Sequence, residues 1–327
     1  MNKADVTAMP SRQQPHPAPH RTPALTANGG KSPRAVLLGI SFALGCALVF
    51  SGLTTFARLS YDAGSTPQTA IFLRFLSASL IFPLAAWMTC QSLRLPRRNW
   101  RAMALAMPAW VVANFAYLGA VLYIPVSLAA LIFFTFPLLV TLTAALLERR
   151  WPRRWELMLL LGGFSGLALA LGPRFDQLNP LGVFFAFSGA CALVVQMLAG
   201  QRLLQSQGLF SMLTWVNGGG LLVAGLTLLL FGGWAWPVGT PAASLELGSV
   251  ALLLATLGYV LALALQMTGV RLIGAPQTAL FMNLEPVLTI AFGALLLGET
   301  LSGQQLLGAG LVIGVLFLAA RRPAKTP

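Results

Sequence analysis

Long apolar runs separated by short polar links dominate the pattern of this chain. From Ala35 onward ten such runs follow one another, at roughly 35–57, 66–88, 102–123, 127–147, 155–172, 181–200, 208–232, 247–270, 276–297 and 302–320. Each is long enough, at about 18–25 residues, for an α-helix to cross a hydrocarbon core of about 30 Å. The third and fourth runs are nearly continuous, but Pro125 beside Ile124 breaks the helix between them. The pattern therefore predicts an all-α membrane protein with ten transmembrane helices. Residues 1–33 carry no apolar run and are rich in Pro, Ser, Thr and basic residues. They bury too little to offset the entropy of ordering, which predicts a disordered cytoplasmic tail. The tail is too polar, and the first run too long, for a cleavable signal peptide.

Composition agrees. Hydrophobic residues make up 57% of the chain and charged residues 9%, against about 25% charged in a soluble domain. The polar groups needed to cover a water-facing surface are missing. Three cysteines argue against a secreted disulfide framework, and Cys46 and Cys191 read as small reduced hydrophobes inside apolar runs.

The net charge of +13 matters through its placement. Eighteen basic residues fall on one side of the membrane: five in the tail, four between Arg94 and Arg101, four between Arg149 and Arg154, and then Arg202, Arg271, Arg321, Arg322 and Lys325. The opposite links hold only Arg58 and Arg174. This asymmetry predicts a multi-pass protein of a bacterial inner membrane with both termini cytoplasmic, and an even number of spans. Trp87, Trp100, Trp151, Trp155, Trp234 and Trp236 fall at run ends, as interfacial anchors do. No basic face with interleaved aromatics spans a folded segment, so nucleic acid is not an expected partner.

Sliding the chain by 149 residues aligns Tyr117–Pro137 with Gln266–Pro286 without gaps. Five of the 21 positions are identical, and the match pairs span 3 with span 8 and span 4 with span 9. The halves are therefore two five-span units. After an odd number of crossings the second unit enters from the opposite side, which makes an inverted repeat of the kind that secondary transporters use.

Several local features accompany the repeat: Glu148 after Pro137, Leu297-Gly298-Glu299 after Pro286, Pro67 with Arg74 opening span 2, and Leu284-Glu285-Pro286. Together they resemble the drug/metabolite transporter superfamily, specifically the ten-span exporters built from two EamA domains. The resemblance covers nearly the whole chain after the tail. It implies a first five-helix repeat over 34–172, a second over 173–320 and a cytoplasmic C-terminal tail at 321–327. The chain departs from the family where Leu38-Gly39 stands in place of a frequent Trp-Gly. Glu148 also follows its proline by 11 residues, against 13 for Glu299.

Candidate site residues come from the cost of polarity in lipid. An ionisable side chain at a helix centre costs about 2.5–3.5 kcal/mol on insertion scales, and two qualify. Arg74 lies roughly 12 Å below the outer edge of span 2, and Glu285 lies near the midplane of span 9. They read either as an ion pair fixing helix packing, or as a site in which Glu285 holds a proton or a cationic group and Arg74 an anionic one. Helical spacing gives four stripes: Thr278, Met282, Glu285 and Thr289 on span 9; Ala129, Phe133, Phe136 and Val140 on span 4; Trp110, Asn114, Tyr117 and Val121 on span 3; Tyr259, Leu263, Gln266 and Val270 on span 8. Facing inward, they line a cavity suited to a small, partly apolar solute bearing an amino group. Asn114 and Gln266 also fit plain interhelical hydrogen bonding. Gln196 and Asn217 are weaker candidates, and Asn283 points away as a packing contact. Pro137 and Pro286 predict helix kinks at corresponding depths, either static or flexing. Gly162-x-x-x-Gly166 and Gly310-x-x-x-Gly314 predict close helix approach, within the bundle or between protomers, leaving monomer and homodimer both open.

No metal motif, phosphate-binding loop or nucleophile elbow is present, and both histidines lie in the tail. No cofactor and no enzymatic role is expected. A channel or a membrane-bound sensor fits the inverted repeat less well than alternating access. The expectation is a secondary exporter of a small metabolite, an amino acid or amine, with a proton gradient as energy source. Uptake and uncoupled diffusion remain the alternatives.

Overall fold

The computed structural model describes residues 32–172, 178–241, 243–297 and 300–321. The leading tail before Ser32, Arg174, Glu299 and the C-terminal tail from Arg322 lie outside them. Every described span is helical: α1 Pro33–Asp62, α2 Pro67–Met88, α3 Trp100–Val121, α4 Val126–Phe133, α5 Phe136–Leu147, α6 Arg154–Leu171, α7 Pro180–Leu203, α8 Leu209–Phe231, α9 Leu245–Ile273, α10 Ala275–Met282, α11 Leu284–Leu297 and α12 Gly303–Arg321. Taken end to end, α4 with α5 forms the fourth crossing and α10 with α11 the ninth, giving ten helices among the described residues long and apolar enough to span a membrane. The protein is a multi-pass membrane protein.

Local sequence sets where the helices start. Ser32, Thr66 and Asn179 each accept a hydrogen bond from a backbone N–H of the first turn, and each is followed by a proline. An N-cap oxygen satisfies an orphan donor, while proline at the first position has no N–H to lose. Ser244 caps α9 in the same way, and Gly274, at φ 88°, ends it. These caps extend α1 and α9 to 30 and 29 residues, beyond the apolar runs read from sequence. Helix ends follow backbone satisfaction, and the added turns carry Arg58, Asp62, Glu246 and Arg271.

The expected kinks are full interruptions. The ring of Pro137 obstructs the carbonyl of the residue four before it, Phe133, and offers it no N–H; Phe133 is the last residue of α4. Pro286 stands in the same relation to Met282, the last residue of α10. The intervening Phe134 and Asn283 are 149 residues apart, so the repeat read from sequence reproduces the break.

Packing obeys the same symmetry. The α1–α9 contact has its counterpart in α7–α3, α2–α9 in α8–α3, and α1–α11 in α7–α5; α2 packs on its own counterpart α8, and α6 on α12. The fold is thus two inverted five-span repeats. In the α6–α12 contact, Gly162 and Gly166 meet Val315 and Val312, and Gly166 lies against Gly308. Gly310 and Gly314 face open space instead, so the glycine pair read from α12 is not the one that makes this contact. Asn283 faces α6: a methyl group on Gly163 would sit 3.3 Å from its Nδ2.

Candidate functional site

Trp110 of α3 and Tyr259 of α9 occupy corresponding positions of the two repeats, and they touch. The indole Nε1 of Trp110 donates to the Tyr259 hydroxyl at 2.7 Å, with the rings 6.2 Å apart and 28° from parallel. Two corresponding residues in contact must straddle the axis that relates the halves, so this pair marks the pseudo-two-fold at the bundle centre. The Tyr259 hydroxyl donates onward to Asn217 Oδ1 on α8 at 2.9 Å, and Asn217 Nδ2 donates to the Leu213 carbonyl at 2.8 Å. Phe75 of α2 closes the cluster edge-on to Tyr259, at 6.0 Å and 75°. Its ring fits because Gly220 offers no Cβ to meet it. Trp110, Asn217 and Tyr259 are all buried, so every polar tip here has found a partner.

A second pair of contacts is also repeated, with different chemistry. Tyr117 and Phe133 meet edge-to-face at 5.2 Å. Their counterparts Gln266 and Met282 meet through Nε2 and Sδ at 3.3 Å. Gln266 is buried and its Oε1 has no hydrogen-bond partner among the described residues. Gln196 on α7 is in the same state: its Nε2 reaches Met267 Sδ at 3.9 Å and its Oε1 has no partner among them. A carbonyl oxygen left without a donor is costly in a bundle core.

Glu285 lies in the first turn of α11, immediately beyond the break. The side chain is enclosed by protein yet keeps accessible surface, as does Tyr117, and its charge acts on Tyr117 and on Cys46 of α1. Its carboxylate makes no ion pair or hydrogen bond among the described residues. One turn on, Thr289 donates to the Glu285 carbonyl at 3.0 Å and approaches Thr54 of α1 at 3.4 Å. The corresponding residue of span 4 is Phe136, which is fully buried against Phe133 and Phe134 with ring centroids 6.0 and 5.7 Å away.

Arg74 does not pair with Glu285. It too is half-buried, its buried Nε lacks a partner among the described residues, and the groups within electrostatic reach are Tyr61 and Tyr259. The ion pair left open by the sequence is therefore not formed. Asn114 donates from Nδ2 to the Trp110 carbonyl at 2.8 Å, one turn back on its own helix. Of the residues singled out in the sequence, Arg74, Asn114, Tyr117, Phe133 and Glu285 retain surface, whereas Trp110, Phe136, Tyr259, Gln266, Pro137 and Pro286 are buried. Cys46, Thr54 and Phe75 escape a sequence reading because, within apolar spans, they look like packing residues.

Away from this centre, Glu148 accepts from Arg150 Nε at 2.7 Å and Glu156 from Arg150 Nη1 at 3.0 Å, tying α5 to α6 at the face where the first and last helices end. Burial works against the Arg150 charge, but the two carboxylates outweigh it and raise its pKa above the usual arginine value. No group of three or more potential metal ligands occurs among the described residues.

The sequence and fold can be compared with known proteins. An uncharacterized transporter of Bacillus subtilis, YcbK, is 26% identical over 308 residues, covering 90% of this chain and 96% of that one. The threonine/homoserine exporter RhtA of Escherichia coli K12 is 26% identical over 223 residues, covering 65% of this chain and 69% of its own. A crystal structure that covers 88% of this chain and 99% of its own superposes with a TM-score of 0.73 at 20% identity, which speaks to the fold alone. The EamA-like transporter family profile matches twice, over residues 37–172 and 180–321. With two five-span units and a profile match to each, this chain belongs to the EamA-like transporter family.

Proposed function

We propose that this transporter exports a small amino-bearing metabolite across the bacterial inner membrane by alternating access, driven by a proton gradient, with both termini in the cytoplasm. The observation that carries the proposal is Glu285. It is a half-buried carboxylate at the interruption of a spanning helix, without an ion pair or hydrogen bond among the described residues. Such a group can hold a proton or an ammonium, and exchange between the two would couple solute to gradient. Discontinuous helices near the midplane are where transporters of inverted-repeat construction place their sites.

The surrounding residues suit an amino acid or related amine. Tyr117 and Phe133 offer aromatic wall, and Arg74, within electrostatic reach of Tyr259, is a receptor for an anionic group. The 26% identity to an exporter named for threonine and homoserine supports the same solute class. Trp110 with Tyr259 then serves as the fulcrum, since contacts on the relating axis change least when the halves exchange conformations.

The test is flux in proteoliposomes holding pooled amino acids, amines and cationic dyes, with and without an imposed pH gradient. Accumulation of one class that rises with the gradient supports coupled transport. Flux that only dissipates a solute gradient identifies an uncoupled carrier, and binding without flux identifies a sensor.

A further inference from the structure

A cavity lies away from Glu285. It has a volume of 550 Å³, within the range of small-molecule sites, and is lined by residues of α1, α5, α6, α10 and α12 together with the α5–α6 link. One wall is α1, with Val36 and Ile40. The other is the α6–α12 pair, with Leu160 and Arg321. These walls are separated, because α10 packs on both α1 and α5 while α1 forms no extensive contact with α6 or α12. Phe281 of α10 lines the cavity between them. The crevice is flanked by exposed leucines, Leu37 at 66% and Leu318 at 49% exposure, which face lipid in a spanning bundle. It therefore opens sideways, at the level where both terminal helices end.

Charge and apolar surface divide this crevice. Arg150, Arg153 and Arg321 meet a single lining carboxylate, Glu156. Arg150 is already held by Glu148 and Glu156, and Arg153 is engaged within the protein as well, its backbone N–H donating to Glu156. Arg321 has no acidic partner among the described residues; its guanidinium lies 4.1 Å from the Phe317 ring centroid. The lining thus keeps a net positive charge at the membrane surface above apolar walls.

We infer that this crevice holds one anionic phospholipid of the leaflet at that face, its phosphate at Arg321 and Arg153 and an acyl chain between Val36 and Phe281. A soluble phosphate satisfies the arginines but leaves the apolar walls unfilled, and a neutral lipid does the reverse. Basic pockets between spanning helices are a recurrent means of binding acidic head groups. This inference does not depend on which solute is carried.

The experiment is native mass spectrometry of the purified full-length protein, titrated with phosphatidylglycerol, phosphatidylcholine or inorganic phosphate. The expected result is one retained phosphatidylglycerol, bound in strong preference to phosphatidylcholine and not displaced by phosphate. Replacing Arg153 and Arg321 together by Ala should weaken it roughly 25-fold, since each arginine near an anionic head group contributes about a factor of five. The control pair Arg202→Ala and Arg271→Ala, outside the crevice, should change nothing. Val36→Trp keeps every charge and narrows the apolar wall, so it should lower retention even if the arginine variants fail to fold. Equal retention of both lipids, displacement by phosphate, or unchanged retention in Val36→Trp would overturn the assignment.

Discussion

Spans 4 and 9 are the same device built twice, and they have diverged at its centre. Both are interrupted by a proline four residues after the last residue of the first half-helix, and the breaks fall 149 residues apart. Beyond the break, span 4 carries Phe136, fully buried among neighbouring rings, whereas span 9 carries Glu285, half-buried and without an ion pair or hydrogen bond among the described residues. The flanking contact is likewise kept while its chemistry changes, with Tyr117–Phe133 on one side and Gln266–Met282 on the other. Geometry has been preserved by symmetry while the chemistry of the two copies has diverged. One break carries a carboxylate where the other carries an aromatic ring.

The most damaging way to break the comparison is to remove its charge. Glu285→Gln keeps the shape of the side chain and one acceptor, but it cannot exchange a proton. The expected outcome is loss of gradient-driven accumulation in proteoliposomes, with flux no longer responding to pH, while the protein still inserts and purifies. Unaltered flux with an unaltered pH response would sink the coupling role of Glu285.

Moving the charge to the other copy should disrupt folding more than transport chemistry. Phe136→Glu puts a carboxylate into a closed aromatic cluster without a cavity to receive it. The cost is about 3 kcal/mol by insertion scales, read as a lower thermal midpoint in detergent and reduced yield. A variant as stable as the parent would mean that span 4 opens as readily as span 9, and the contrast drawn between them would fail. Restoring backbone donors is gentler. Pro286→Ala lets the amide of residue 286 bond to the Met282 carbonyl and favours a continuous helix. Transport should slow more than in Pro137→Ala, because only the former rebuilds the turn that presents Glu285. Comparable initial rates for the two variants would argue against this.

Much of this scheme is legible in the amino-acid sequence alone. Ten spans follow from run length, the repeat from an ungapped register, and distorted helices at two prolines, read as kinks and found as breaks, because hydropathy and backbone chemistry are local properties. The register also sets Trp110 opposite Tyr259 and Tyr117 opposite Gln266. It says that these residues correspond and not that the first two touch. Contact depends on how α3 and α9 rotate and cross, and nothing in a single span encodes that. The same limit explains Phe136: its place on the polar-facing stripe is correct by spacing, yet packing with Phe133 and Phe134 turns it into core. Asn217 carries little weight in the sequence because a single amide in an apolar run usually bonds a neighbouring helix; it does so here, completing the cluster on the axis.

The smallest effect is expected from Arg74 and Glu285 taken together, and it bears most directly on how charge is arranged in this bundle. Each has paid its desolvation cost alone, since the structure shows no ion pair between them and Arg74 lies within reach of Tyr61 and Tyr259 instead. Residues without shared partners usually contribute additively, within about 0.3–0.5 kcal/mol. A double-mutant cycle on Arg74→Gln and Glu285→Gln, followed by thermal unfolding in detergent, should therefore return a coupling inside that range. If the two formed a structural pair, removing either would strand the other, and the double variant would be markedly more stable than the Arg74 single. A coupling well above the additive range would place both charges in one packing network. Glu285 would then be one half of that pair, and its carboxylate would no longer distinguish span 9 from span 4.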